Sequence, residues 1–157
     1  MKKNLRKRQR GENCSSAASD NAASWGREIA NALSGKFGHD AYDLIPALGW
    51  KLVIAPDDLP FFPFCRLAAW EGDTKTIRIF PERLRRLSTN FDRALRLACA
   101  HEFFHGLLAT KDEFLSQFIS PIPPLTCEQE EAAATAFAHE FAENFRLTLG
   151  ATVRNFI

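Results

Sequence analysis

Residues 99–105 of the chain read CAHEFFH, so that His101 and His105 stand four apart with Glu102 directly after the first. On a helix, positions i and i+4 share one face, one turn apart. Both imidazoles can then address a single ion. Zinc is borderline in softness and takes neutral imidazole nitrogen readily. A catalytic zinc usually has three protein ligands and one position left for water. Glu102 can reach that water without touching the metal, which gives two ligands and a general base. The chemistry implied is hydrolysis of a carbonyl group such as a peptide bond. The plainer reading is one turn of a buried helix with two hydrogen-bonded histidines. Glu102 argues against it, because a charge on an apolar helix face is costly unless a metal or partner meets it.

A third ligand must come from elsewhere. Cys127, Glu128, Glu130, Glu131 and His139 are the candidates. Glu128 and Glu130 are explained without a metal, since carboxylates in a helix's first turns favour its positive end. Glu131 instead heads a seam with Ala134 and Ala138 at i, i+3 and i+7. Small residues there suit close packing on another helix, which would carry the Glu131 carboxylate across the interface.

The elements that must position these groups emerge from periodicity and breakers. Thr89 is a candidate N-cap, with Asp92 three residues on, for a helix running FDRALRLACAHEFFHGLLA, which has no breaker until Gly106 and keeps Phe91, Leu95, Ala98 and Leu108 at helical spacing. Thr126 and Gln129 form a capping box opening a last helix that runs to about Gly150. Residues 110–125 between them read as a loop closed by Pro121, Pro123 and Pro124. Upstream, Ser24 caps a helix starting at Trp25, with Ile29, Ala32, Leu33 and Phe37 as its stripe. A short helix over 40–48 contains Pro46 and stops at Gly49. WKLVIA (50–55) reads as a strand, ended by the proline-rich run 56–64. RLAAW (66–70) and KTIRIF (75–80) read as a hairpin. Pro81 opens the short helix PERLRRL.

Composition bounds the function. At 157 residues, 46% hydrophobic and 25% charged, the chain fits one globular domain. Of the formal net charge of +1, the first twelve residues contribute +5, leaving −4 for the remainder. The body is therefore mildly acidic and offers no nucleic-acid surface. The basic tail runs into a small, polar, aperiodic stretch, so residues 1 to about 23 are expected to be disordered. A solvated terminus is the commoner meaning of such a tail than a nucleic-acid arm. No apolar run comes after the tail's charges, as a secretory signal requires, and none approaches a membrane span. Cys14, Cys65, Cys99 and Cys127 have irregular spacing and no Cys-x-x-Cys, which disfavours a cysteine zinc site and fits reduced thiols in the cytoplasm.

ACAHEFFHGLLA, with EAAATAFAHEF downstream of it, resembles the ImmA/IrrE family of zinc metallopeptidases. That family shows an Ala-His-Glu-x-x-His helix, then a helix of the form Glu-x-x-Ala-Asn-x-Phe-Ala-x-Glu-Leu. Glu131, Ala134, Phe137, Ala138, Glu140 and Phe141 fall on the second pattern. The resemblance implies zinc held by His101, His105 and Glu131, with Glu102 as the catalytic base. It covers roughly residues 25–145, although only the two helical motifs are specific. Thr135 replaces the usual Asn, Phe104 stands where a small residue often precedes the second His, and the Met-Pro that often ends the second motif is absent. The helix-turn-helix that some relatives carry is absent too.

The expectation is thus an α+β domain over residues 24–150: a small antiparallel sheet of about three strands packed on a zincin-like pair of helices, with further helices N-terminal to it. Residues 151–157 form a short tail. The expected activity is zinc-dependent cleavage of a protein, by resemblance a DNA-binding transcriptional repressor or an antitoxin. His39, Tyr42, His139 and Arg146 are candidates to steady the oxyanion. Strand 75–80 is a candidate to pair with an extended substrate. Cys127, one turn before Glu131, is a capping or packing thiol on the plain reading and a redox or inhibitory thiol on the other. A rival reading keeps zinc as a non-catalytic element in a module that docks a regulator.

Overall fold

The computed structural model describes residues 5–37, 41–55, 67–110 and 122–154. The proline-rich run 56–64, Cys65 and most of the loop before the last helix lie outside the described residues. The order is α1 (Leu5–Phe37), α2 (Ala41–Ala47), β1 (Lys51–Ile54), β2 (Ala68–Glu71), β3 (Thr76–Ile79), α3 (Pro81–Leu87), α4 (Phe91–Thr110) and α5 (Cys127–Arg154). The molecule is α+β and mostly helical, with one small sheet. Among the described residues no helix is long and apolar enough to cross a membrane.

Three long helices build the core. α4 and α5 meet through aromatic rings: Phe137 lies 6.3 Å from Phe103 and 5.0 Å from Phe104, centroid to centroid. All three rings are fully buried, as are Ala133 and Ala134 beside them. Burying such a side chain contributes roughly 1.5–3 kcal/mol, so this interface is a large part of what fixes α5 against α4. α1 closes the other side of α5. The contact is so tight that a Cβ on Gly26 would lie 2.2 Å from the Ala133 carbonyl oxygen. Trp25 sets its edge against Phe104, at 5.8 Å. Near the far end of the interface, Asn144 donates to Asn31 Oδ1 at 2.7 Å.

This packing corrects two expectations about the N-terminal region. The helix expected from Trp25 begins at Leu5, and the stretch expected to be disordered is helical from that residue on. No Pro interrupts it, it is rich in alanine, and Ala22 is already buried. Among the described side chains of α1, burial begins at Ala22, and from there on the helix packs against α5. Its buried stripe is Ile29, Ala30 and Leu33, whereas Ala32 faces outward.

The sheet is mixed, with strand order β1-β3-β2. The hairpin forms as expected, β2 antiparallel to β3 with Trp70 opposite Ile77. β1 lies on the other side of β3, parallel to it, with Leu52 opposite Ile77. The expected all-antiparallel sheet is therefore wrong for β1. Alternating apolar residues reveal a strand but carry no information about which edge it joins or in which direction. The central position also explains why Ile77 and Ile79 have no exposed surface.

Candidate metal centre

Helix α4 carries His101, Glu102 and His105. Its cap is Asn90, whose Oδ1 accepts the Arg93 backbone N–H at 3.1 Å, one residue beyond the expected Thr89. As its spacing required, the helix runs through Gly106, to Thr110. Gly106 is there for space. A Cβ at this position would come within 2.6 Å of Trp50 Cζ3 and 3.0 Å of Trp70 Cε3. Trp50 and Trp70 rest against each other, centroids 4.7 Å apart, and Trp50 lies 5.5 Å from Phe103. The missing side chain lets β2 settle directly over the turn of α4 that bears the motif.

Helix α5 begins with the expected capping box. Gln129 N–H donates to Thr126 Oγ1 at 3.2 Å, and Thr126 N–H donates to Gln129 Oε1 at 2.9 Å. The box sets where the first turn starts, and with it which residues face α4. Ala134 and Ala138 are buried along the interface, as the seam required. Glu131, at its head, reaches across.

His101 Nε2 lies 3.1 Å from His105 Nε2. Glu131 Oε2 is 3.2 Å from the former and Glu131 Oε1 is 3.3 Å from the latter. Glu131 thus meets the two rings with different oxygens, and one donor atom from each of the three residues lies within 4.8 Å of the others. Two imidazoles and one carboxylate are a donor set that divalent transition metals accept. His101, His105 and Glu131 are a possible metal-binding group. Burial lowers the pKa of His101 below the ordinary histidine value, and the neighbouring His105 adds to this against a raising pull from Glu131. The neutral imidazole favoured in this way is the form a metal requires.

Two contacts were not visible in the sequence. Glu102 Oε2 accepts the backbone N–H of Trp70 at 2.8 Å, so β2 holds the carboxylate in place. His105 Nδ1 lies 2.7 Å from Glu130 Oε1, on the side of the ring away from His101. Successive helical residues are about 100° apart, so Glu130 and Glu131 straddle the interface and bracket the His105 ring. Glu130 is separated from His105 by 25 residues, and no local pattern distinguishes it from an acid placed for the helix dipole.

The group opens on a cavity of about 820 Å³ lined by His101, Glu102, His105, Glu130 and Glu131. Trp70 forms one wall, and Cys127 and His139 lie on the α5 side. Cys127 is exposed and Cys99 buried, and neither is in a disulfide. Neither belongs to the donor group, nor do Glu128, Glu130 and His139. His39 and the side chains of Cys14, Tyr42 and Arg146 lie outside the described residues. Comparison with protein-family models, with curated proteins and with solved structures gave no match for this chain.

Proposed function

We propose that the chain is a zinc-dependent endopeptidase acting on a protein substrate. The observation that carries this reading is the convergence of one donor atom each from His101, His105 and Glu131 to within 4.8 Å of one another, beside a carboxylate that is not one of them. A zinc ion held there supplies Lewis acidity, bringing the pKa of a bound water toward ~7 and polarising a carbonyl. Glu102 takes the proton of the attacking water and passes it to the leaving amine. The Trp70 N–H fixes the carboxylate for this work. His139, on the cavity wall, remains the candidate to steady the oxyanion.

Strand β3 cannot receive a substrate strand, as both its edges are paired. That role passes to β2. Leu67 pairs inward, accepting from Phe80 N–H. Antiparallel alternation then turns the backbone groups of Ala68 and Trp70 outward. The Trp70 N–H, bonded to Glu102, points in that direction. Ala68 and Trp70 line the cavity, so an extended peptide added at this edge would cross the Glu102 carboxylate.

The family resemblance suggests a DNA-binding repressor or antitoxin as substrate and a cytoplasmic setting. The test is to incubate the purified chain with such proteins, alongside Glu102→Gln. Cleavage by the parent alone supports the peptidase, with a loss on the order of 10²-fold or more in the variant. Equal zinc content and no cleavage by either chain across a broad panel supports the docking module instead.

A further inference from the structure

We infer that Glu130 is a positioning residue for the metal site, holding the His105 ring through Nδ1 so that Nε2 presents its lone pair to the ion. This rests on the metal-binding reading above and adds a fourth residue to it. An ionised carboxylate only accepts hydrogen bonds. At 2.7 Å from Glu130 Oε1, His105 Nδ1 is the donor and carries the proton. The lone pair of the neutral ring is then on Nε2, the atom 3.1 Å from His101 Nε2 and 3.3 Å from Glu131 Oε1. One bond thereby sets both the tautomer and the ring plane. Metal-ligating histidines are commonly held by a carboxylate at the second nitrogen, and removing it weakens metal binding.

The competing account is that Glu130 serves only the helix dipole of α5. Glu128 provides the internal comparison. It lies in the same first turn, is exposed, and makes no contact with His105 among the described residues. Removing either acid costs the dipole a similar charge, but only Glu130 touches a ligand.

The experiment is zinc titration of the full chain against a chromophoric chelator. Glu130→Ala should bind zinc roughly 10–100-fold more weakly than the parent. Glu130→Gln should fall between them, since its amide oxygen can still accept from Nδ1–H. Glu128→Ala should match the parent. A second readout needs no metal: imidazole nitrogen spectra of the metal-free chain should show His105 protonated at Nδ1, a preference lost in Glu130→Ala. The inference is overturned if Glu130→Ala binds zinc as tightly as the parent, if Glu128→Ala weakens binding as much, or if His105 carries its proton at Nε2 in the parent. A parent that binds no zinc overturns the metal reading itself, and this is seen before any substitution is made.

Discussion

Replacing Gly106 by Ala sets two physical effects in opposition, and the sign of the result decides between them. Gly106 lies inside α4, where Ala is favoured over Gly by about 1 kcal/mol. Propensity alone therefore predicts a more stable protein. The structure predicts the reverse. The new Cβ would lie 2.6 and 2.9 Å from two Trp50 ring carbons and 3.0 Å from Trp70. Ordinary carbon contacts need about 3.5–4.0 Å, so the rings must give by close to an ångström. Trp50 cannot easily swing away, being 4% exposed and in ring contact with Trp70 and Phe103. Overpacking of this kind costs about 1–3 kcal/mol, leaving a net loss of up to about 2 kcal/mol after the propensity gain is set against it. Urea unfolding would read this as a lower midpoint at unchanged slope. Gly72→Ala is the control, since its Cβ would meet nothing closer than Trp70 Nε1 at 3.7 Å. The strain falls on the strand that holds Glu102, so hydrolysis should drop further than zinc affinity. A Gly106→Ala chain more stable than the parent by the propensity gain of about 1 kcal/mol would refute the packing argument.

Other perturbations test the supports of the site. Gly26→Ala puts a Cβ 2.2 Å from the Ala133 carbonyl oxygen, a backbone atom that cannot rotate away; a loss of roughly 2–3 kcal/mol is expected, visible as a lower thermal midpoint. Thr126→Ala removes one half of the capping box and should cost about 1 kcal/mol in urea unfolding. For pH, His101 binds its proton more weakly in the folded chain than in the unfolded one. The unfolded state therefore takes up protons first as pH falls below about 6.5, and the metal-free protein loses stability across the interval from there down to the lowered folded value. Thermal melts should show a smaller loss over that interval in His101→Asn.

The helices of the site were legible because their signals are local. His101, Glu102 and His105 share a turn, the Thr126–Gln129 box spans one turn, and Glu131 announced itself by the alanine seam beneath it. What the residues alone could not show depends on partners distant in the chain. β1 displays strand residues but not the edge it joins. Glu130 and Glu128 look alike until α5 is laid against α4, which turns one toward His105 and leaves the other in solvent. The helix through Gly106 could be read, but the reason for a glycine there could not, because the Trp50–Trp70 pair that excludes a side chain lies on another layer. The N-terminal stretch read as disordered for want of an apolar period, and the close approach of α1 to α5 at Gly26 is a tertiary contact that no local pattern shows. Asn90 in place of Thr89 as the cap is a one-residue slip of the kind helix boundaries invite.

The central claim is that His101, His105 and Glu131 bind one metal ion together. Its most direct test is elemental analysis of the purified parent, Glu131→Ala and Glu102→Gln after equilibration with limiting zinc. The account predicts one tightly held zinc per chain in the parent and in Glu102→Gln, and loss of tight binding in Glu131→Ala. A parent that retains no zinc, or a Glu131→Ala chain that retains it as tightly as the parent, would contradict it.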